Sequence, residues 1–229
     1  MRAIVGGIAV ASTALLLISC SGTKQQPAAT PSSPVRPAIT TKPSGHAVKP
    51  QKPVPAESNP PGDIPDNTAF IPYRSTTGHF VVKVPEGWSR RTGQSQVTFT
   101  DKLNSVSATW FKASQAPTKA SATSRDVPEL RRTQRAFRLG HVITCAPTCT
   151  IPYSTAPISV TLPAGNAIVI TYQANSAPNP VTGKQYRDEV LRFEFFKNGH
   201  EVALTLSGPL GSDNVDPWTL VSQSFRWLP

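Results

Sequence analysis

The chain has 229 residues, with 23 lysines and arginines against 13 aspartates and glutamates, and a formal net charge of +10. Once an apolar start and a proline-rich segment are set aside, about 160 residues remain, which fits one compact domain with a core of its own. The sequence contains no G-x-S-x-G, Walker, H-E-x-x-H or G-x-G-x-x-G motif, which excludes the enzyme classes that those motifs mark.

The first twenty residues are typical of a secretion signal that ends in a lipid-attachment site. After Arg2, the uncharged apolar run Ala3 to Ile18 is too short and too rich in glycine and alanine to span a bilayer comfortably. The run ends in Leu17-Ile18-Ser19-Cys20, which resembles a bacterial lipobox with Cys20 as the lipid acceptor. We therefore expect residues 1–20 to be a lipoprotein signal peptide, and acyl chains such as palmitate on Cys20 to hold the protein at the extracytoplasmic face of the cell membrane. An ordinary signal peptide or an uncleaved anchor is the alternative.

A stalk is predicted next, over residues 21–66. Between Thr23 and Pro65 lie eleven of the 24 prolines, together with Ser, Thr, Ala, Gln and Lys and almost no large apolar side chain. Such a segment cannot bury a core, and proline-rich chain is extended and semi-rigid. We expect it to hold a globular domain, residues 67–229, away from the membrane, and a polyproline ligand for a partner is the alternative.

Three strands are predicted near the start of the domain. Gly78 to Val84 is rich in β-forming residues and is closed by the turn Pro85-Glu86-Gly87-Trp88. Gln96 to Asp101 alternates polar and apolar residues, and Val106 to Phe111 follows after a short turn. Strands in such close succession predict an antiparallel meander.

A helix is predicted from Asp126 to Leu139, with Gly140 as its end. Its first residue can act as a cap, a proline lies in its first turn, and Glu129 can complete a capping box. The helix would gather three arginines on one side, namely Arg131, Arg135 and Arg138. We regard them as a candidate contact for phosphate-bearing lipid or another anionic surface, and a merely solvated helix face is the alternative.

Cys145 and Cys149 are an even pair in an oxidising compartment if Cys20 is acylated. The loop Cys145-Ala146-Pro147-Thr148-Cys149 is short enough to close a disulfide, which we predict. Two free thiols are one alternative. A metal site with His141 is another, although one histidine and two cysteines supply three ligands at most.

The clearest local pattern is a β-hairpin. Glu189 to Phe196 and Glu201 to Ser207 flank Lys197-Asn198-Gly199-His200, and Asn-Gly supplies the positive φ angles of a two-residue type I′ turn. The predicted buried side chains are Leu191, Phe193, Phe195, Val202, Leu204 and Leu206.

The other predicted elements of the second half are two strands, a loop and a helix. The strands are Ile158 to Leu162 and Asn166 to Gln173, and Asn175 to Arg187 is expected to be an exposed loop because it holds two prolines and a glycine. The last helix runs to about Phe225 and is expected to pack one face on the sheet.

Few titratable groups are available to an active site. Asp213 and Asp216 precede or begin the last helix and are predicted helix caps, with a Ca²⁺ site or an acid and base pair as the alternative. His79 and His200 are the other candidates. No zinc site or catalytic triad is indicated by this set.

Several short segments of the sequence resemble segments found in one protein family. They are Phe80, Val84-Pro85-Glu86-Gly87-Trp88, Val97-Thr98-Phe99-Thr100-Asp101, Ala116-Pro117-Thr118, Asp213-Asn214-Val215-Asp216-Pro217-Trp218 and Ser224-Phe225-Arg226-Trp227. In this order they resemble the PsbP-like, or LpqN-like, class of actinobacterial lipoproteins, over most of Tyr73 to Trp227. The resemblance implies an α+β fold, an α/β/α sandwich around one antiparallel sheet, as in the photosystem II extrinsic subunit and a Ran-binding nuclear transport factor. It implies a binding or assembly protein and carries over no catalytic, metal or cofactor site.

The charge of the domain bears on its partners. From Asp66 onward, 17 basic residues stand against 11 acidic ones, which in a tethered secreted protein points to anionic lipid or wall polymers rather than nucleic acid, or only aids solubility. We predict a non-enzymatic surface lipoprotein without a cofactor, whose domain binds an envelope protein, lipid or glycan. A carrier of a small apolar or lipid ligand, with an apolar pocket of roughly 300 Å³ or more, and an enzyme of unrecognised type are the alternatives.

Overall fold

The computed structural model describes residues 62–140, 154–179 and 181–229, which form eleven β-strands, three α-helices and one π-helical turn. The predicted signal peptide, Cys20 and most of the predicted stalk lie outside the described residues, as do His141, Cys145 and Cys149. Among the described helices, none has the length and hydropathy that a membrane span requires.

Eight strands form one antiparallel sheet. They are β3 (Ser89–Thr92), β4 (Gln96–Asp101), β5 (Asn104–Lys112), β6 (Arg135–Leu139), β7 (Ile158–Leu162), β8 (Gly165–Asn175), β9 (Arg187–Lys197) and β10 (His200–Pro209). Across the sheet the order is β3-β4-β5-β10-β9-β8-β6, and β7 pairs with β8 off this path.

A smaller sheet has three strands. β1 (Phe70–Ser75) and β11 (Arg226–Trp227) both pair with β2 (Phe80–Pro85), which lies between them. The predicted α+β class and its antiparallel pairing are confirmed, and the structure has two sheets where one was expected.

The three strands predicted near the start are confirmed as β2, β4 and β5, but the predicted meander is wrong for the first of them. β4 pairs with β5 on one side and with β3 on the other, and β3 follows the turn at Pro85-Glu86-Gly87-Trp88. β2 belongs to the small sheet. Phe80, Val82 and Val84 on β2 are buried in the same core as residues of the large sheet. The strand therefore contributes to the core from the small sheet, which short connections alone do not reveal.

The predicted hairpin is confirmed in detail. Asn198 and Gly199 have φ angles of 50° and 77°, as a type I′ turn requires, and Lys197 pairs with His200. The six side chains predicted to be buried are all buried.

The helix predicted over Asp126 to Leu139 is wrong in its second half. The helical segment begins earlier, with α1 (Lys119–Ser121) and the π-helical turn Ala122–Asp126, and ends with α2 (Val127–Thr133). Residues 135–139 form β6 on the edge of the large sheet, where Phe137 and Leu139 pack on its apolar surface. Pairing with β8 therefore outweighs the helical periodicity of these residues.

A threonine that the sequence pattern did not single out caps the helical segment. The N–H of Ser121 donates to Oγ1 of Thr118 at 3.0 Å, and the N–H of Thr118 donates to Oγ of Ser121 at 2.8 Å, which is a reciprocal capping box. Asp126, the predicted cap, makes no capping hydrogen bond, because it lies inside the helical segment.

The main core lies between the two sheets and α3 (Val215–Ser224), which confirms the predicted last helix. The rings of Phe195 and Phe225 stack with centroids 4.1 Å apart at an angle of 6°, and both side chains are 0% exposed. Phe80 also stacks with Phe225, with ring centroids 5.4 Å apart. Three aromatic rings from β9, β2 and the end of α3 thus join the layers.

A second, smaller core lies under the helical segment. It consists of Ala122, Val127, Leu130, Ile168, Ile170, Tyr172, Ala174 and Val190. Its members on the sheet come from β8 and β9, so the apolar contacts of the helices are with that part of the sheet surface.

Residues 62–66, the end of the predicted stalk, pack on the domain. Ile64 is 4% exposed, and its N–H donates to Oδ1 of Asn214 at 2.9 Å. Nδ2 of Asn214 donates to the carbonyl of Gly62 at 3.0 Å and to Oδ1 of Asn104 at 3.1 Å, and Nδ2 of Asn104 donates to the same Gly62 carbonyl at 2.8 Å. The start of α3 and the start of β5 therefore hold this segment of chain.

Candidate ligand-binding groove

The two faces of the large sheet differ in chemistry. One face supplies the main core, and the helical segment covers β8 and β9 on the other. On that second face β3, β4, β5 and β10 carry serine and threonine, because alternate residues of a strand point to opposite sides and the intervening positions fill the core. The polar character of the second face over these four strands therefore follows from the alternation of side chains along each strand.

Two rows of hydroxyl side chains cross this face. Strand register places the rows as Thr98-Ser107-Thr205 and Ser89-Thr100-Ser105-Ser207. Arg91 on β3 and Arg192 on β9 stand at the two ends of the first row. Because neighbouring strands are about 4.8 Å apart, that row with its arginines spans about 19 Å. We call these seven side chains the hydroxyl rows.

An open groove of about 780 Å³ lies between the loop that joins β8 to β9 and the β3–β4 end of the hydroxyl rows. Of the seven side chains in the rows, Ser89, Thr98 and Thr100 line this groove. Of its sixteen lining residues, six carry hydroxyls, two carry amides and four carry charges. The lining consists of Ser89, Arg91, Thr92, Gly93, Gln96, Thr98, Thr100, Lys102, Leu103, Ser176, Ala177, Pro178, Asn179, Lys184, Tyr186 and Asp188. Most residues that line this large groove therefore carry a polar or charged group.

The wall opposite β3 and β4 is the loop that the sequence predicts to be exposed. Its ends are joined by hydrogen bonds: the N–H of Ser176 donates to the carbonyl of Tyr186 at 2.9 Å, and the N–H of Tyr186 donates to Oγ of Ser176 at 2.9 Å. Oδ1 of Asn179 accepts from the N–H groups of Val181 and Thr182, each at 2.9 Å. These bonds give the wall a defined shape and present the ring of Tyr186, which is 38% exposed.

The charges of the groove favour an anionic ligand group. Arg91, Lys102 and Lys184 line it against one carboxylate, Asp188. Burial raises the pKa of Asp188 to about 6, although Oγ of Ser207 donates to Oδ2 of Asp188 at 3.4 Å and lowers it. The positive charge of the lining therefore exceeds the negative charge, more so as Asp188 becomes protonated.

A second group of charged residues is buried beneath the helical segment. Glu194 on β9 and Glu201 on β10 are 0% and 1% exposed. Nε of Arg192 donates to Oε1 of Glu194 at 2.9 Å, whereas Arg125 forms two hydrogen bonds to Asp126 and only approaches Glu201. Within the described chain, Oε2 of Glu194 and both carboxylate oxygens of Glu201 accept no hydrogen bond.

Burial has a clear electrostatic effect on these glutamates. It raises the pKa of Glu201 to about 7, with a further increase from the charge of Glu194. It also raises the pKa of Glu194, while Arg192 acts to lower it. Neither carboxylate lines the groove, and across residues 62–140, 154–179 and 181–229 no three His, Cys, Asp or Glu side chains are placed to hold a metal ion.

Two histidines, His79 and His200, lie close together near the hairpin turn. The rings of His79 and His200 have centroids 5.0 Å apart and line a cleft of about 260 Å³ with Lys197 and Trp227. Neither Asp213 nor Asp216 lines this cleft.

The two aspartates have structural roles. The N–H of Asp213 donates to Oδ1 of Asp63 at 2.9 Å, and Asp216 lies in the first turn of α3, where a negative charge favours the helix dipole. The residue before α3 is Asn214, so neither aspartate occupies the predicted cap position.

The three arginines predicted to form a helical stripe do not share a helix. Arg131 lies on α2, with its guanidinium carbon 5.3 Å from the centroid of the Phe137 ring, whereas Arg135 and Arg138 lie on β6. All three are exposed, and none lines the groove. The structure thus corrects the helical face on which the stripe was based.

The residues of the groove were not predicted as a site. A signal was present, since hydroxyl residues alternate with apolar ones in Gln96 to Asp101 and in Asn104 to Lys112. The apolar half of this alternation predicts core positions, whereas the polar half indicates a site only when these strands are aligned with β9 and β10, and that pairing is not local.

No family model matches the chain, and no curated protein does either. Among solved structures, a cyanobacterial PsbP from Synechocystis sp. PCC 6803 is 14% identical with a TM-score of 0.45, and the match covers 70% of this chain and 93% of that one. LpqN of Mycobacterium tuberculosis, described as involved in cell envelope biogenesis, is 14% identical with a TM-score of 0.40, over 72% and 93% of the two chains.

Two further structures are similar at this level. The Ran-binding protein Mog1p of Saccharomyces cerevisiae is 10% identical with a TM-score of 0.43, over 70% of this chain and 96% of its own. A chain from Bacteroides thetaiotaomicron is 10% identical with a TM-score of 0.42, over 69% of this chain and 48% of its own, so this chain spans about half the length of that one. The classes named from the sequence words are thus among the solved structures that this chain resembles.

Proposed function

We propose that the chain is an extracytoplasmic lipoprotein, anchored in the cell membrane through Cys20, whose domain binds a glycan non-enzymatically in the groove. The apolar run that ends in Leu17-Ile18-Ser19-Cys20 and the proline-rich residues 21–61 that follow support the anchor and the stalk. The groove supports the binding function.

The observation that carries the binding proposal is the hydroxyl lining of the groove. A serine or threonine hydroxyl both donates and accepts a hydrogen bond, as a sugar hydroxyl does. The serine and threonine side chains of the lining can therefore pair with the hydroxyls of a glycan without leaving unpaired donors. Tyr186 adds an exposed aromatic ring at the wall, and Gln96 and Asn179 add amides. A space of about 780 Å³ accommodates several sugar rings.

The composition of the lining distinguishes this function from its rivals. The pocket of an apolar-ligand carrier is lined mainly by hydrophobic and aromatic side chains, whereas twelve of the sixteen lining residues here carry hydroxyl, amide or charged groups. A glycan hydrolase needs two carboxylates across the scissile bond, and among the described lining residues Asp188 is the one carboxylate.

Fractionation tests the anchor. Cys20→Ala is expected to release the protein from the membrane fraction, because it removes the acyl acceptor, while Ser21→Ala next to it keeps the protein there. Mass spectrometry of the mature N-terminus should show the acyl chains in the wild type. Membrane retention of Cys20→Ala, or an unmodified N-terminus, would contradict the anchor.

Calorimetric titration of the full chain with neutral and acidic hexasaccharides tests the glycan site. Thr98→Val combined with Thr100→Val keeps side-chain shape and removes two hydroxyls from the groove, and it should weaken binding about tenfold or more, since each lost hydrogen bond contributes about 1 kcal/mol. Thr161→Val on β7, outside the groove, is the matched control. Absence of binding, or equal binding by the double variant, would overturn the proposal.

A further inference from the structure

The cations of the groove come from three different parts of the chain. Arg91 lies on β3, Lys102 lies in the two-residue turn between β4 and β5, and Lys184 lies on the loop that forms the opposite wall. Because the three residues line one groove, their charges surround it from two sides. A single exposed charge run would not produce this arrangement.

Within the described part of the chain, these three cations form no ion pair. The ion pairs found there join Arg125 to Asp126 and Glu201, Arg132 to Glu129 and Arg192 to Glu194, and none includes a cation of the groove. Asp188, the carboxylate that shares the lining, is half-buried and accepts its hydrogen bond from Ser207. A negative group that enters the groove would therefore meet cations without displacing an internal partner.

The cations of the groove lie next to its hydroxyl side chains. Arg91 pairs with Thr98 across the strands, so a guanidinium stands beside the first of the hydroxyl rows. Lys102 follows Thr100 by two residues, in the turn just beyond the second row. Polar uncharged and cationic groups thus lie side by side in the lining, which suits a polymer that carries both hydroxyls and negative charges.

We propose that the ligand of the groove is an acidic oligosaccharide, whose carboxylate or phosphate substituents contact Arg91, Lys102 and Lys184. Its hydroxyls contact the serine and threonine side chains of the lining, among them Ser89, Thr98 and Thr100. This inference rests on the proposed glycan-binding function and specifies its ligand class. Arg91 can hold an oxyanion with two parallel hydrogen bonds, and the two lysines act as point charges.

The experiment compares two hexasaccharides of equal length on the full chain at low ionic strength of about 20 mM. Oligogalacturonate carries a carboxylate on every sugar, and maltohexaose is neutral. The wild type should bind oligogalacturonate roughly tenfold or more tightly than maltohexaose, because several partly exposed charge contacts add to the affinity. The preference should fall as salt is raised.

A charge-matched pair of variants identifies the site. Lys102→Gln with Lys184→Gln should bring the two affinities to within about threefold of each other, while affinity for maltohexaose stays within about twofold of the wild type. Lys83→Gln with Lys112→Gln removes the same total charge from exposed residues outside the groove and should keep the wild-type preference. A preference lost equally in both pairs would overturn the inference.

The remaining outcomes separate the two proposals and the two sources of anion. Inorganic phosphate that competes better than chloride of equal ionic strength indicates a phosphate-bearing glycan, and no such excess indicates a carboxylate-bearing one. Equal affinity of the wild type for both hexasaccharides overturns the acidic ligand and leaves the glycan site intact. Failure of both to bind overturns the glycan site itself.

Discussion

Nη2 of Arg125 lies 3.9 Å from Oε2 of Glu201, a distance too long for a hydrogen bond. The guanidinium is 55% exposed and donates its hydrogen bonds to Asp126, whereas the glutamate side chain is 1% exposed. The ionised form of Glu201 is therefore poorly compensated in the folded domain, and burial raises its pKa to about 7.

Glu201→Gln is expected to stabilise the domain at pH 8 by about 2 kcal/mol and to change its stability little at pH 4. A carboxyl group whose folded pKa is raised contributes full stability below its unfolded value near 4.5, and this stability is lost as the pH rises through 7. Glutamine does not ionise, so the variant avoids that loss. Urea unfolding at pH 4 and pH 8 measures the difference.

Glu129→Gln is the matched control for this change. Glu129 is 54% exposed and pairs with Arg132 on the surface of α2, so its replacement should alter stability by less than about 0.5 kcal/mol at either pH. A Glu201→Gln effect that is the same at both pH values would contradict the role of ionisation.

Phe225→Ala should cost about 3–5 kcal/mol, because it removes the ring that stacks with both Phe195 and Phe80 and leaves a cavity between the layers. Phe111→Ala, at a position 41% exposed, should cost about 1 kcal/mol or less. Thermal and urea unfolding give both values. Equal losses of unfolding free energy in the two variants would show that the buried stack contributes no more stability than an exposed ring.

Gly199→Ala should cost about 1–2 kcal/mol, since an L-residue is strained at φ 77° although space is available for a methyl group. Gly93→Ala is the control: its φ is not in the left-handed region and the added carbon would meet its neighbours at ordinary contact distance, 3.7 Å or more. Its expected effect is within about 0.5 kcal/mol. A neutral Gly199→Ala would mean that the turn changes type.

Asn214→Ala should cost about 2–3 kcal/mol, because it leaves the buried N–H of Ile64 without its acceptor and removes donors from the Gly62 carbonyl and from Asn104. Limited proteolysis should then cut residues 62–66 faster than in the wild type. Asn166→Ala, which loses one exposed hydrogen bond with Thr161, should leave both readouts unchanged. Equal protection of residues 62–66 in both variants would contradict this role of Asn214.

Local sequence signals predicted the local structure well. The Asn198-Gly199 turn and the alternation of large apolar residues around it determine the hairpin without help from the rest of the chain. The end of α2 was harder, because residues 135–139 carry a helical pattern and a strand pattern at once, and pairing with β8, about 35 residues later, decides between them.

The groove depends on pairings that no local pattern reveals. Thr98 and Thr100 lie in the same groove as the loop between β8 and β9 because β5 pairs with both β4 and β10, and β10 pairs with β9. The buried glutamates were missed for a related reason: Glu194 and Glu201 occupy the polar half of an alternation that predicts exposure, and the helical segment that covers them lies more than 60 residues earlier in the chain.

The bonds of Asn214 and Asn104 to Gly62 also have a mechanical consequence. A pull applied to the chain before Gly62 would load hydrogen bonds that reach both the first turn of α3 and the start of β5, two points far apart in sequence. The force would therefore act on α3 and on the large sheet at the same time. Tension on this end of the domain would not separate its strands one after another.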